Sequence, residues 1–359
     1  MRINCIPWMD TTVKEDGFVW EDVCLMVSFM REMGHEVRLY GSKDLLDRGT
    51  YEDGRFVPSQ EAWEVCDCDV LLVHPIIPFR WGGKVSKYDA TSMWYIRNTT
   101  GKVVLFQDDS YVFPPIRSNA KPRWGEYALD FPLIFATPHR ANRTDRLGET
   151  VSALCGGKQL TLNITWTNAY AWIQKKGGVP RIEQTTPKAD FFYGGATRRN
   201  EFRKTFEGLI KEFGAESFWS YGDMVERYGL RDSVREHYGK KKATRDELIS
   251  LASQCRFSFL PYDRNKDYIT PKAIEHGMSN SLVLADERYS TEGLEFKTLN
   301  LQDVDAVRRC LEMDEDTRLE LVQKQHEMLD AFDFRAKAAE EVDNLERLVE
   351  TGEYPDGSM

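Results

Sequence analysis

The 359-residue sequence has no apolar stretch approaching the length of a membrane span. Its opening, Met1-Arg2-Ile3-Asn4-Cys5-Ile6-Pro7, carries no apolar signal core. No membrane partner and a cytoplasmic location are therefore expected. The seven cysteines are an odd number without metal-type spacing. Only Cys66 and Cys68 lie close together, with no second pair nearby, which argues against a disulfide framework and a zinc site. Histidine is scarce. His74, His139 and His276 are scattered along the chain and read as structural or surface residues. There is no internal repeat and no low-complexity segment. An excess of basic charge is also missing: the net charge is −10, which at first argues against a polyanionic partner. The location of the acid changes that reading. Residues 311–359 hold 15 acidic and 5 basic side chains and so account for all of it, while the rest carries 43 of each sign. Basic residues cluster at Arg80, Lys84 and Lys87, at Lys121 and Arg123, at Arg140, Arg143 and Arg146, and at Lys240, Lys241 and Lys242. A basic cleft on a neutral body is compatible with this distribution. Net charge neither supports nor excludes nucleic acid.

What is present is an alternation of strand and helix signals. Ile3–Ile6 and Val37–Tyr40 read as strands around a helix over Val19–Met33 that stops at Gly34. Val70–Val73 and Val103–Phe106 are unbroken apolar runs of the kind found in buried parallel strands, with a helix over Asp89–Arg97 between them. The alternation restarts near Ala189. Strands are expected at Phe191-Phe192, Ser217–Tyr221, Arg256–Leu260 and Leu282–Ala285. Helices are expected over Asn200–Phe213, Asp246–Ser253 and Pro271–Met278, from Asp303 and Asp316, and to about Glu350. The expected fold is α/β with two Rossmann-like, doubly wound domains facing each other across a cleft. One covers 1–180 and is completed by a C-terminal helix over 335–353; the other covers 185–332. The join falls within 165–188, where Gly177, Gly178, Pro180 and Pro187 lie.

Two clusters carry the chemistry. Tyr193-Gly194-Gly195-Ala196-Thr197-Arg198-Arg199, with Arg203 beyond, follows an apolar strand and opens a helix. Glycines there let backbone N–H groups approach an anion at a helix start, and arginines fork onto phosphate oxygens. The bland alternative is an ordinary turn followed by a solvated helix face. The second cluster, Asp267-Tyr268-Ile269-Thr270-Pro271-Lys272 with Glu275, places Lys272 and Glu275 one helical turn apart. A cation for phosphate beside a carboxylate for sugar hydroxyls suggests a nucleoside diphosphate site. Asp108 ends an apolar strand, an address that suits a general base as well as a turn carboxylate; Asp109 is its rival. Asp67 and Asp69 precede a strand and read as a polar loop. Trp81, Trp94, Trp124, Trp219 and Tyr95 read as core.

In order along nearly the whole chain, these and other segments resemble the DNA β-glucosyltransferase family of T-even bacteriophages. Glu32-Met33-Gly34 is similar to the end of that family's first helix, and Trp81-Gly82-Gly83-Lys84 to its Phe-Gly-Gly-Lys loop. Leu105-Phe106-Gln107-Asp108 resembles Leu-Phe-Thr-Asp, and Pro122-Arg123-Trp124 resembles Arg-Pro-Trp. Tyr193-Gly194-Gly195-Ala196-Thr197-Arg198 resembles Tyr-Gly-Gly-Ser-Phe-Arg, and Ile269–Glu275 resembles Ile-Thr-Leu-Arg-Val-Trp-Glu.

The resemblance implies a GT-B fold and an inverting transfer of a sugar from a UDP-sugar to the hydroxyl of 5-hydroxymethylcytosine, or a related hydroxymethyl-pyrimidine, in phage duplex DNA. Glucose is the first expectation for the sugar, with a pentose open. It further implies Asp108 as base, and Asp22 near the donor sugar with Glu21 as its alternative. Gly194, Gly195 and Arg198 would hold the diphosphate, and Glu275 the ribose hydroxyls. Lys272 stands where the family has arginine, which keeps the charge and loses the fork. The family's second arginine falls at Phe202, so Arg199 or Arg203 would substitute. Lys84, Lys121, Arg123, Arg143 and Arg146 are the candidate DNA contacts, with flipping of the target nucleotide implied. Mg2+ or Mn2+ assisting the diphosphate, a monomeric state and the host cytoplasm complete the expectation. The alternatives are a GT-B glycosyltransferase with a small-molecule, lipid or protein acceptor, or a non-catalytic nucleotide-sugar or DNA-binding protein.

Overall fold

The computed structural model describes residues 1–6, 21–53, 55–73, 87–106, 133–137, 159–179, 186–194, 200–239, 243–262 and 269–353. They divide into two compact units, Met1–Ala171 with Phe334–Met359, and Trp172–Asp333.

The first unit begins with β1 (Arg2–Ile6), α1 (Glu21–Glu32), β2 (Glu36–Leu39), α2 (Ser42–Leu46), β3 (Gly49–Glu52) and β4 (Arg55–Pro58). It continues with α3 (Gln60–Cys66), β5 (Val70–Val73), α4 (Lys87–Asn98), β6 (Lys102–Phe106), β7 (Leu133–Thr137), β8 (Gln159–Thr161) and α5 (Ile164–Lys176). Six strands form one sheet in the order β2-β1-β5-β6-β7-β8, with every pairing parallel. Parallel sheets need both faces covered, which is why β5 is Val-Leu-Leu-Val and buried throughout. A short antiparallel hairpin, β3–β4, stands apart from the sheet. Its Phe56 packs on Trp94 and Tyr95 of α4, with ring centroids 5.5 and 5.8 Å away. Asp67 and Asp69 do form a polar turn, where Arg2 pairs with Asp67 at 2.9 Å.

Helix α5 carries the chain across the division between the units. The stretch expected to hold the join is therefore helical up to Lys176. Gly177 and Gly178 end that helix with φ of 73° and 139°, a conformation that side chains disfavour.

The second unit contains β9 (Ala189–Gly194), α6 (Asn200–Phe213), β10 (Phe218–Tyr221), α7 (Asp223–Tyr228), β11 (Arg231–Asp232) and α8 (Ser233–Tyr238). These are followed by α9 (Arg245–Ala252), β12 (Cys255–Leu260), α10 (Pro271–Gly277), β13 (Leu282–Asp286), β14 (Lys297–Leu299), α11 (Val304–Leu311) and α12 (Glu315–Ala331). Its sheet runs β11-β10-β9-β12-β13-β14, again wholly parallel. The winding reverses between β9 and β12, so the carboxyl ends of those strands open the crevice where doubly wound sheets take ligands. The core is aromatic: Phe191 stacks on Phe218 and Phe259 with centroids 5.0 Å apart in each case.

Helix α13 (Phe334–Thr351) returns to the first unit. Its buried Phe334, Ala338, Val342, Leu345 and Leu348 recur at three- and four-residue intervals, one apolar stripe. Lys102 Nζ donates at 2.8 Å to Leu348 O, which also accepts from Gly352 N at 3.0 Å. The buried Glu341 accepts from the Asn163 N–H at 2.7 Å. Among the described residues, no helix is long and apolar enough to cross a membrane.

Candidate functional site

Gly194 is the last residue of β9, at the reversal point, and pairs in register with Tyr221 at the end of β10. The two are pressed together. A Cβ built on Gly194 would lie 1.9 Å from Tyr221 Cε1 and 2.6 Å from its hydroxyl, so any side chain there would have to displace the ring. Lys272, in the first turn of α10, donates its Nζ to Gly194 O, and the ammonium stands 5.4 Å from the centroid of the Tyr193 ring. One turn further, Glu275 Oε1 accepts from Arg245 Nε at 3.0 Å, and the two side chains are only 14% and 12% exposed. Burial, and then the Glu275 charge, push the Tyr221 phenol far above its ordinary pKa, so it stays neutral at physiological pH. Gly194, Tyr221, Lys272, Glu275 and Arg245 therefore form one connected group at the carboxyl end of the second sheet.

The neighbourhood fixes α10 at both ends. At its start, Ile269 N donates to Glu292 Oε1 at 2.9 Å and Thr270 N to Tyr289 Oη at 3.1 Å. At its end, Gln325 Nε2 donates to Gly277 O at 2.9 Å while its Oε1 accepts from Val283 N at 3.0 Å. His326 Nε2 donates to Ser279 O at 2.9 Å. Pro271 at the first helical position suits a donor that would otherwise be orphaned. His276, on the same helix, is buried. Burial and the Lys272 charge lower its pKa to about 3, against a backbone hydrogen bond at Phe259 that raises it. It is a neutral structural histidine.

Of the residues expected to form a donor site, Gly194, Lys272 and Glu275 are thus brought together. Arg203 lies on α6, half-exposed, in an ion pair with Glu207 at 3.2 Å. Asp22 falls in the first turn of α1, with its side chain outside the described set. Asp108, Gly195, Arg198, Arg199 and the proposed DNA contacts Lys84, Lys121, Arg123, Arg143 and Arg146 lie outside the described residues. Tyr221 and Arg245 were not expected. Tyr221 could be read only as a strand end. Arg245 carries a local signal, the Thr244–Glu247 capping box that starts α9, but nothing local ties it to Glu275.

Chemically, the group offers an ammonium at a strand end and an oriented carboxylate beside it, a set suited to a diphosphate and a diol. Among the described residues, no three or more metal-ligating side chains are gathered.

Two doubly wound parallel sheets of this kind define the GT-B fold of glycosyltransferases, and comparison with solved structures returns that fold. Phage T4 β-glucosyltransferase with UDP-glucose superposes with a TM-score of 0.62 at 16% identity over 98% of this chain and 100% of that one. The same enzyme with UDP and Mn2+ gives 0.61 at 16% identity, with equal coverage. The UDP-forming α,α-trehalose-phosphate synthase of Burkholderia vietnamiensis gives 0.52 at 11% identity over 98% of each chain. No family profile and no curated protein sequence matches the chain.

Proposed function

We propose that the protein is an inverting glycosyltransferase that moves a sugar from a UDP-sugar to the hydroxyl of 5-hydroxymethylcytosine, or a related hydroxymethyl-pyrimidine, in phage duplex DNA. One observation carries the donor half: Lys272 held on Gly194 O at the reversal point of the second sheet, with Glu275 one turn along the same helix. The fold shared with a phage β-glucosyltransferase, whose structures hold UDP and UDP-glucose, supports the nucleotide and the reaction class. The ordered motif resemblance supports the acceptor.

In this reading the unit of residues 185–332 binds the donor, and that of 1–180 with 335–353 serves the acceptor. Asp108 takes the proton from the acceptor hydroxyl, whose oxygen attacks the anomeric carbon as the bond to the UDP oxygen breaks on the opposite face. Asp22 lies near the transferred sugar. Lys272 and Arg198, aided by the backbone at Gly194-Gly195 and by Arg199 or Arg203, offset the charge that develops on the leaving diphosphate. Glu275 accepts from the ribose hydroxyls. The target nucleotide leaves the stack to reach the donor, with Lys84, Lys121, Arg123, Arg143 and Arg146 on DNA phosphates. The enzyme acts as a monomer in the host cytoplasm.

The test is UDP release during incubation with UDP-glucose and duplex DNA. The reading predicts release with hydroxymethylated duplex and not with unmodified duplex of the same sequence. Equal release from both would remove DNA as the acceptor. The electrically neutral body and acidic C-terminal segment motivate a second reading, with the same donor site and a small-molecule, lipid or protein acceptor. Steep loss of acceptor affinity with salt decides for DNA.

A further inference from the structure

We infer that Arg245 is a positioning residue that fixes the Glu275 carboxylate for a ribose diol, and so makes the site select ribonucleotide over deoxyribonucleotide donors. The inference rests on the donor-site reading above. The Arg245–Glu275 pair joins two residues 30 apart in sequence, on α9 and α10, at 3.0 Å. Both side chains are largely out of water, where a pair is a poor source of stability because desolvation offsets much of the Coulomb gain. Its consequence is orientation. The place of Arg245 is set by the Thr244–Glu247 capping box that encloses it, in which Glu247 Oε2 accepts from Thr244 N at 2.7 Å. The place of Glu275 is set by the anchors at both ends of α10. A guanidinium Nε–H on Oε1 therefore holds one carboxylate rotamer, whose oxygens are hydrogen-bond acceptors. A ribose diol presents two adjacent donors to such a group, and a 2′-deoxyribose presents one. A site built to accept from a hydroxyl rejects the analogue that lacks it far more strongly than a loosely placed carboxylate would.

The test is calorimetric titration of UDP and 2′-deoxy-UDP into the full-length protein and into the Arg245→Gln, Glu275→Gln and double variants, with Arg245→Lys as a further variant that keeps the charge. The wild type is expected to prefer UDP by about tenfold or more. Arg245→Gln and Glu275→Gln should each reduce that preference to within about threefold, and the double variant should go no further than Glu275→Gln alone. Arg245→Lys, which retains charge without the guanidinium geometry, should fall between wild type and Arg245→Gln. Arg245→Gln or Arg245→Lys retaining the full wild-type preference while Glu275→Gln loses it would overturn the role of Arg245 and leave the donor site standing. Absence of UDP binding to the wild type would overturn both.

Discussion

Tyr221 occupies the space that a side chain on Gly194 would need: its Cε1 lies 1.9 Å from where a Cβ would stand. This contact joins the ends of β9 and β10 at the point where the sheet reverses, and Lys272 closes on the carbonyl of the same glycine. Gly194→Ala should therefore force the ring or the strand pairing aside. The expected cost is about 1–3 kcal/mol, read as a lower unfolding midpoint, together with weaker UDP binding. In Gly194→Ala/Tyr221→Ala the two costs should sum to less than those of the single variants. Simple additivity would show that the contact is not the cause.

Lys272 supplies positive charge at the strand end without the bidentate fork of arginine. Lys272→Met should raise the Kd for UDP about tenfold or more, measured by titration calorimetry, because a charge-assisted contact to phosphate is lost. An unchanged Kd would place the diphosphate elsewhere.

His276 gives stability a pH dependence of defined sign. Its pKa is lowered to about 3 in the fold by burial first and the Lys272 charge second, against about 6.5 in an unfolded chain. Between those values the unfolded chain binds the extra proton. Stability is thus full above about pH 6.5 and is lost as the pH falls toward 3, by at most about 1.4 kcal/mol per unit. Thermal unfolding should show a larger drop in Tm between about pH 7 and about pH 5 for the wild type than for His276→Leu. Equal drops would exclude His276 as the source.

Glu341 on α13 satisfies the buried Asn163 N–H at 2.7 Å. Glu341→Ala strands that donor and should cost about 1–3 kcal/mol. Glu340→Ala, one residue along on the exposed face, should change stability by under about 0.5 kcal/mol. Denaturant titration distinguishes the two, and equal effects would contradict this account of how the terminal helix is tied in.

The parts of the fold legible in the sequence were those whose burial is apolar and continuous. β5 is an unbroken apolar run over Val70–Val73, and α6 shows a clean amphipathic period over Asn200–Phe213. Helix α5 was not legible, because its buried positions include Thr165, Thr167 and Asn168, which blur the hydrophobic period. The β3–β4 hairpin escaped notice because its strands are four residues long and largely exposed on alternate positions. In the site, Gly194, Lys272 and Glu275 could be picked by residue type and spacing. Tyr221 and Arg245 could not, since each acquires its role from a partner that only the sheet order and the α9–α10 packing bring near.

The central claim is sugar transfer from a UDP-sugar to hydroxymethylated DNA. It is tested most directly by mass spectrometry of hydroxymethylated duplex DNA after incubation with the protein and each of a panel of UDP-sugars. The account predicts addition of a single glycosyl group to the hydroxymethyl-pyrimidine with at least one donor. It also predicts loss of that addition in Asp108→Ala, which should still bind UDP. Unmodified DNA with every donor, or undiminished transfer by Asp108→Ala, would contradict it.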